Sequence, residues 1–144
     1  IGERMQTFLP YKDFTKSAEI LDSKRLNKQI LEGYQILKVL SNNDPQAGWR
    51  NHPAVKMWRN HEAFLCAYGI AICNEWTSRG YKDTCGEKIE NVLKGLNRFF
   101  IAPNWWGGEI HKTHRSKLLS KYPEHYRQYW PDEQDNLDYY WPVS

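Results

Sequence analysis

The chain has 144 residues, a length that fits one domain, and its hydrophobic fraction of 40% is enough to form a core at that size. Its formal net charge is +3, from 20 Lys and Arg against 17 Asp and Glu. This balance excludes the uniformly basic surface of a histone-like protein, so any basic patch must be local.

The three cysteines are odd in number, and two of them fall within one apolar run. We interpret them as buried, reduced thiols of an intracellular protein. No apolar run approaches the roughly 20 residues of a membrane span, and the first residues lack the character of a signal peptide. We therefore expect a cytoplasmic protein with no membrane partner.

The first predicted element is a long helix over residues 14–40, which Asp13 caps and a polar loop over residues 41–45 ends. At 100° per residue its apolar positions fall on one side and most of its lysines on the other. A polar row lies between these two faces, half-buried at the edge of the core. The row consists of Asp22, Arg25, Gln29 and Glu32.

The later elements are also predicted to be helical. A second helix covers about 53–78 and is apolar nearly all round in its middle, as expected of a central helix, and the stretch 75–84 connects it to the third. The third helix, capped by Thr84 and Glu87, covers about 85–100. A loop over 103–108, a shorter helix over 109–121 and a turn of helix over 123–129 follow. Only residues 6–10 suggest an extended segment.

These elements predict an all-α fold, a compact single-domain bundle of three main helices with a short C-terminal helix. We expect one domain over residues 5–130. The acidic and aromatic tail over 131–144 either packs on that domain or trails from it.

The polar row is the first candidate for catalysis. Buried charge without partners is costly, so a half-buried carboxylate beside an arginine is either an internal brace or a tuned site. As a brace, Asp22 and Arg25 would pair one turn apart. As a site, Asp22 or Glu32 would be the general acid or base, Arg25 would hold a phosphate or a developing charge, and Gln29 would line the pocket.

A second candidate region combines flat rings and cations between residues 48 and 62. Such side chains stack on bases and hold phosphates. At a helix start, free backbone N–H groups also favour an anion. The alternative is that Asn51 or His52 only caps the helix and Trp49 packs beneath the loop. The predicted DNA contacts here are Trp49, Arg50, Asn51, His52, Lys56 and Arg59.

The third candidate region lies around the helix over 109–121. Trp105 and Trp106 could stack on an unpaired base or plug the core, and both interpretations stay open. His114, Arg115 and Ser116 suit contacts to a phosphate backbone. His111 and His114 are one turn apart, but the further ligands of a familiar zinc motif are missing, so we predict no metal site.

The order of these segments resembles short microbial and phage proteins grouped with the pyrimidine-dimer DNA glycosylases of the endonuclease V type. The resemblance covers most of residues 5–125. The matching stretches are Met5 to Tyr11, Leu21-Asp22, Arg25-Leu26, Lys28-Gln29, Gly48 to Val55, Met57-Trp58, Glu75-Trp76, Arg79 to Tyr81, Asp83-Thr84 and His114 to Ser116.

The resemblance implies a compact all-α protein that bends DNA and flips a nucleotide out of the stack. It also implies a glycosylase joined to an abasic-site lyase, in which an amino-terminal amine forms an imine and a glutamate on the first helix stabilises the opening sugar. Here Lys28 and Gln29 take the positions of an arginine–glutamate pair. Glutamine cannot act as a carboxylate, so Asp22 or Glu32 replaces it, or this branch uses another substrate or mechanism. Lys28 is assigned to the DNA-binding surface.

The leading hypothesis is a DNA glycosylase, with or without lyase activity, that acts on a damaged or modified pyrimidine in double-stranded DNA. The alternative is a non-catalytic module that recognises distorted or modified DNA. A metal-dependent nuclease using His111 and His114 is a weaker third hypothesis. Phosphate-binding glycine loops, serine-nucleophile elbows and paired C-x-x-C motifs are absent from the sequence, and we predict no cofactor and no obligate protein partner.

Overall fold

The computed structural model describes residues 6–42, 52–83, 85–96 and 102–142. These residues form helices and no strand, which confirms the all-α prediction. None of the helices within the described ranges is both long and apolar enough to span a membrane. The helices are α1 (Phe14–Ile20), α2 (Ser23–Asn42), α3 (Pro53–Lys56), α4 (Glu62–Ser78), α5 (Gly86–Gly95), α6 (Glu109–Lys121) and α7 (Pro123–Tyr126).

The predicted first helix is two helices, so that prediction is wrong at its centre. Leu21 is extended, with φ −68° and ψ 137°, and α2 begins only after Asp22. The Arg79 guanidinium donates hydrogen bonds to the carbonyl oxygens of Ala18 and Leu21, at 3.2 and 2.7 Å. The side chain of the residue that follows α4 therefore satisfies carbonyl groups at the end of α1.

The central helix is α4, which packs against α1, α2 and α5. It begins at Glu62 and not near residue 53, because α3 ends after one turn and Asn60 adopts a left-handed φ of 71°. The buried Trp58 lies in the turn between α3 and α4, and its indole N–H donates to Thr7 Oγ1 at 3.1 Å. The turn that separates α3 from α4 therefore coincides with the contact between Trp58 and Thr7.

The third predicted helix is shorter at both ends, since α5 spans only Gly86–Gly95. The Asp83 carboxylate accepts hydrogen bonds from the backbone N–H groups of Cys85 and Gly86 at 3.0 and 2.8 Å. Asp83 thus satisfies backbone groups at the start of this helix. The predicted cap Thr84 and the stretch 97–101 lie outside the described residues.

The predicted extended segment, residues 6–10, has no helix or strand and is buried between helices. The Leu9 amide donates to His114 Nδ1 at 2.9 Å, and the Leu9 carbonyl lies 2.7 Å from His111 Nδ1. The Phe8 amide donates to Gln29 Oε1 at 2.9 Å, and the Phe8 carbonyl accepts from the Tyr68 hydroxyl at 2.9 Å. Residues 6–9 therefore join α2, α4 and α6 and fix the position of the polar row.

Candidate active site on the second helix

The predicted polar row lies along one side of α2, and its first member acts as a brace. The Asp22 carboxylate accepts hydrogen bonds from the Tyr126 hydroxyl and, at 3.1 Å, from Arg25 Nη1. The Asp22 side chain is buried, and its backbone N–H donates to the same tyrosine oxygen at 3.0 Å. Asp22 Oδ1 thus holds the start of α2 to α7, and Oδ2 pairs with Arg25 within α2.

Replacing Asp22 by alanine is expected to lower the free energy of unfolding by about 2 kcal/mol, because it leaves the Tyr126 hydroxyl and Arg25 without a buried partner. Urea unfolding measures this loss. Glu19→Ala removes an exposed carboxylate from the same region and should change stability by less than about 0.5 kcal/mol. Unchanged stability in Asp22→Ala together with lost activity would contradict the brace.

Gln29, the third member of the row, is completely buried and acts as a scaffold. Its Nε2 donates to the Gln6 carbonyl at 2.8 Å and to Glu32 Oε1 at 3.2 Å. Its Oε1 accepts from the Phe8 amide and from the Tyr68 hydroxyl. One amide group therefore ties residues 6–8 to α2 and α4 and orients the carboxylate of Glu32.

Glu32 is the member of the row that retains the properties of a catalytic carboxylate. It is half-buried, and it accepts a hydrogen bond from the backbone N–H of Gln6. Burial raises the pKa of Glu32, while the positive charges of Lys28 and Lys121 and the Gln6 hydrogen bond act in the opposite direction. A carboxyl group with a raised pKa next to cations is suited to proton transfer and to stabilising positive charge.

An open cleft of about 820 Å³ lies beside the start of α2. Asp22 and Arg25 line it together with the Glu75–Arg79 ion pair, in which the Nε–Oε2 distance is 2.8 Å. Other residues at the cleft add positive charge and aromatic surface. They are Lys24, Lys121, Tyr122 and His125.

Two aromatic residues at this cleft were not predicted from the sequence as functional. Tyr122 is 41% exposed, and its ring stacks on His125 with centroids 5.6 Å apart and an interplanar angle of 19°. His125 Nε2 lies 2.9 Å from the Ile20 carbonyl oxygen, which fixes this pair at the end of α1. The signal in the sequence is the run of aromatic rings at helical spacing across residues 122–129.

Of the predicted contacts between residues 48 and 62, the three that the structure describes, His52, Lys56 and Arg59, do not line this cleft. His52 caps α3, the alternative left open above, because its Nδ1 accepts from the Ala54 amide at 3.0 Å, and its ring contacts Trp141. Arg59 is exposed and Lys56 is half-buried. Lys28, which lies on α2, is exposed. Trp49, Arg50 and Asn51 lie outside the described residues.

The two tryptophans before α6 pack against the core, as the second of the two interpretations left open above expects. The Trp106 ring packs edge-on against Phe14 and Phe64, with centroids 5.1 and 4.9 Å away. Trp105 packs against Trp58 at 5.3 Å. Both tryptophans are only partly exposed. Neither ring is placed as a wedge for a DNA base.

The assignment of His114 and Ser116 to a phosphate-binding surface is wrong for this conformation. Both side chains are buried, at 1% relative exposure each, and Ser116 Oγ accepts from the Leu137 amide at 2.8 Å. Arg115 is partly exposed, but it pairs with Glu133 and donates to the Pro10 carbonyl at 2.9 Å. These residues hold the initial segment and the C-terminal segment to α6.

The histidines of α6 also do not fit the metal-nuclease hypothesis. Their Nδ1 atoms bond the backbone of Leu9, and His111 Nε2 accepts from the Gly107 amide at 3.0 Å. Both ring nitrogens of His111 are therefore engaged with backbone groups. Within the described part of the chain, no group of three His, Cys, Asp or Glu side chains lies close enough to hold a metal ion.

Burial of His114 makes stability depend on pH. Burial lowers the pKa of His114 to about 3, and the neighbouring His111 adds to the effect. In the unfolded chain the His114 imidazole takes up a proton near pH 6.5, whereas in the folded protein it stays neutral. The contribution of His114 to the free energy of unfolding is therefore complete above that pH and is lost as the pH falls toward 3. Between pH 7 and 4.5, we expect urea unfolding to show that this group lowers the free energy of unfolding by an amount that approaches about 1.4 kcal/mol per pH unit. His114→Gln should reduce that slope, and an unchanged slope would contradict the assignment.

Comparison with known proteins identifies the family of this chain. The model of the family described as "Pyrimidine dimer DNA glycosylase" matches residues 5–88, which is more than half of the chain. The chain belongs to the pyrimidine dimer DNA glycosylase family. The predicted resemblance is thereby confirmed. No curated protein and no solved structure matches the chain.

The matched region of this pyrimidine dimer DNA glycosylase family member contains the whole polar row, α3 and α4. It ends before α6 and α7. Lys121 of α6, His125 of α7 and Tyr122 between the two helices line the cleft. The carboxylate Glu32 and the scaffold Gln29 thus lie within the part of the chain that defines the family.

Proposed function

We propose that this protein is a DNA N-glycosylase that excises a damaged or modified pyrimidine from double-stranded DNA, with Glu32 as its catalytic carboxylate. The observation that carries the proposal is the position of Glu32. Its carboxylate is half-buried, oriented by Gln29 and the Gln6 amide, and influenced by the positive charges of Lys28 and Lys121. Membership of the glycosylase family supplies the reaction class.

Glycosidic bond cleavage builds positive charge on the sugar. A nearby ionised carboxylate stabilises that charge. It can also take up the proton of the nucleophile that attacks C1′, while the base leaves with the electrons of the glycosidic bond. Gln29 occupies the position expected for the family glutamate, and Glu32 follows it by one helical turn. We assign the carboxylate function to Glu32, and we assign to Gln29 the role of positioning Glu32 and the initial segment.

The cleft beside Asp22 and Arg25 is the proposed entry for the flipped nucleotide. Its volume of about 820 Å³ lies within the range of small-molecule pockets. Glu32 does not line this cleft, so the nucleotide would have to extend from the cleft along α2 to reach it. Lys24 and Lys121 would meet backbone phosphates, and the exposed Tyr122 ring would stack on a base exposed by flipping. Duplex DNA is the partner that this arrangement suits.

The test is base release from synthetic duplexes that each carry one modified pyrimidine, a cyclobutane dimer included. We expect release from at least one of these duplexes and none from the unmodified duplex. Release that persists in Glu32→Gln would contradict the assignment of the carboxylate.

A non-catalytic module that recognises distorted DNA remains the second candidate, and the glutamine at position 29 favours it. Such a module would bind the modified duplexes without releasing a base. It would also form no adduct with an abasic duplex in the presence of borohydride, whereas an enzyme with lyase activity would be trapped as a covalent complex.

A further inference from the structure

The C-terminal segment 131–142, called the strap below, lies along α6 without regular secondary structure. Its backbone is held by side chains of that helix. The Leu137 amide donates to Ser116 Oγ at 2.8 Å, and the Tyr140 amide donates to Thr113 Oγ1 at 3.2 Å. A peripheral strip of this kind can separate from a domain at lower cost than a core helix.

The strap presents one face to the protein and one to solvent. Leu137, Tyr139 and Trp141 are half-buried, whereas Asp138 and Tyr140 between them are exposed. This alternation is that of an extended chain, in which successive side chains point to opposite sides. Every second side chain of this stretch therefore fills space against the body of the protein.

Tyr139 is the inward residue that reaches the polar row. Its ring meets His114 edge to face, with centroids 5.6 Å apart, and Lys117 Nζ lies 5.4 Å from its centroid. The charges of Arg25 and Glu32 influence its hydroxyl, and the Gln6 side chain lies close enough to interact with it. A planar ring with a polar edge thus lies within electrostatic range of the proposed catalytic carboxylate.

Among the described residues, two buried hydrogen-bond donors in this region have no acceptor in hydrogen-bond geometry. They are Gln6 Nε2 and His114 Nε2, of residues only 3% and 1% exposed, and the Tyr139 hydroxyl interacts with the Gln6 side chain outside that geometry. His114 Nδ1 accepts from the Leu9 amide, so its proton resides on Nε2 and that atom is a donor. Buried donors without partners are rare in folded proteins and call for a ligand or another explanation.

The strap also carries negative charge along a basic helix. Its carboxylates are Asp132, Glu133, Asp135 and Asp138. Glu133 pairs with Arg115, and Lys117 Nζ donates to Asn136 Oδ1 at 3.3 Å. Glu133 of the strap thus occupies a cation, Arg115, that could otherwise meet a phosphate, and Asn136 accepts from a second cation, Lys117.

We propose that the strap occupies the path of a DNA strand. Tyr139 then fills a site for a pyrimidine base, and the carbonyl oxygens of that base would accept hydrogen bonds from Gln6 and His114. The carboxylates of the strap stand in for phosphates, and binding of DNA displaces it. This inference rests on the proposed function and extends it by locating the base. A thymine or uracil ring fits the two donors best, because it presents two carbonyl oxygens.

The first test removes the Tyr139 side chain and uses no DNA. Tyr139→Ala is titrated with thymine and, separately, with p-cresol, and the rise in Tm is measured for each. We expect thymine to stabilise Tyr139→Ala more than p-cresol does, and to have no effect on the wild type or on the neighbouring Tyr140→Ala. Adding Gln6→Met should abolish the thymine effect only.

A greater effect of p-cresol, or no effect of either compound, would show that Tyr139 merely packs the protein and would overturn the proposal. Because neither compound involves DNA or catalysis, this result is separate from failure of the glycosylase assignment.

The second test keeps Tyr139 and changes the charge of the strap. Glu133→Gln with Asp138→Asn is compared with Glu87→Gln and Glu90→Gln, which change net charge equally on the exposed side of α5. We expect the strap variant to bind duplex DNA on the order of fivefold more tightly than the control. Equal affinities would overturn the phosphate-mimic role, whereas no binding by any variant would count against the glycosylase and leave the thymine test to decide.

Discussion

Replacing Glu32 by glutamine is expected to lower the rate of base release by about 10²- to 10⁴-fold, the usual contribution of a positioned acid or base. The side chain keeps its shape and can still accept from the Gln6 amide, but it can neither carry negative charge nor take up a proton. Single-turnover release from a modified duplex measures the loss. In the wild type, the acid limb of the rate profile should lie above pH 4.5, because burial raises the pKa of Glu32.

The matched control is Glu19→Gln, which removes an exposed carboxylate from the rim of the same cleft. It should leave the rate within about twofold of the wild type, since a lone rim charge contributes little. Glu32→Gln should also be no less stable than the wild type, because burial disfavours the charged form that it removes. A rate loss that follows unfolding would contradict a catalytic role.

Gln29→Leu is expected to lower the free energy of unfolding by on the order of 3–5 kcal/mol. The substitution keeps the volume but leaves the Gln6 carbonyl and the Phe8 amide buried without partners, and each such group costs about 1–3 kcal/mol. The Tyr68 hydroxyl loses one of its two partners as well. Urea unfolding at pH 7 measures the change.

Gln35→Leu on the exposed side of the same helix is the control, and it should change stability by less than about 0.5 kcal/mol. Because Gln29 also orients Glu32, Gln29→Leu should lower base release even at a temperature where the variant is folded. Full activity in a folded Gln29→Leu variant would show that Glu32 does not depend on this contact.

The periodicity of the sequence was sufficient to predict the all-α class, the buried central helix and α6. The helix breaks were less accessible, because they depend on contacts between distant residues. Arg79 caps the end of α1 across 61 positions of the chain, counted from Ala18, and the buried Trp58 bonds Thr7 in the turn before α4. A hydrophobic pattern along one helix carries no information about such contacts.

The candidate site could be predicted only in part, because it too depends on contacts between distant residues. The row on α2 follows from helical spacing alone, but the separate roles of its members depend on partners that only the fold brings together. Asp22 meets Tyr126, whereas Glu32 meets the Gln6 amide. His114 carries a side chain typical of DNA contacts, yet the initial segment packs against it and it is buried, and composition alone does not reveal that contact.

The central claim is that a flipped nucleotide meets Glu32, and the most direct measurement is the structure of Glu32→Gln bound to a duplex with one modified pyrimidine. We expect C1′ of the extruded nucleotide within about 3.5 Å of the residue 32 side chain, a near-attack distance. We also expect the strap displaced from α6. DNA bound elsewhere, with residue 32 still covered and no nucleotide extruded toward it, would contradict the claim.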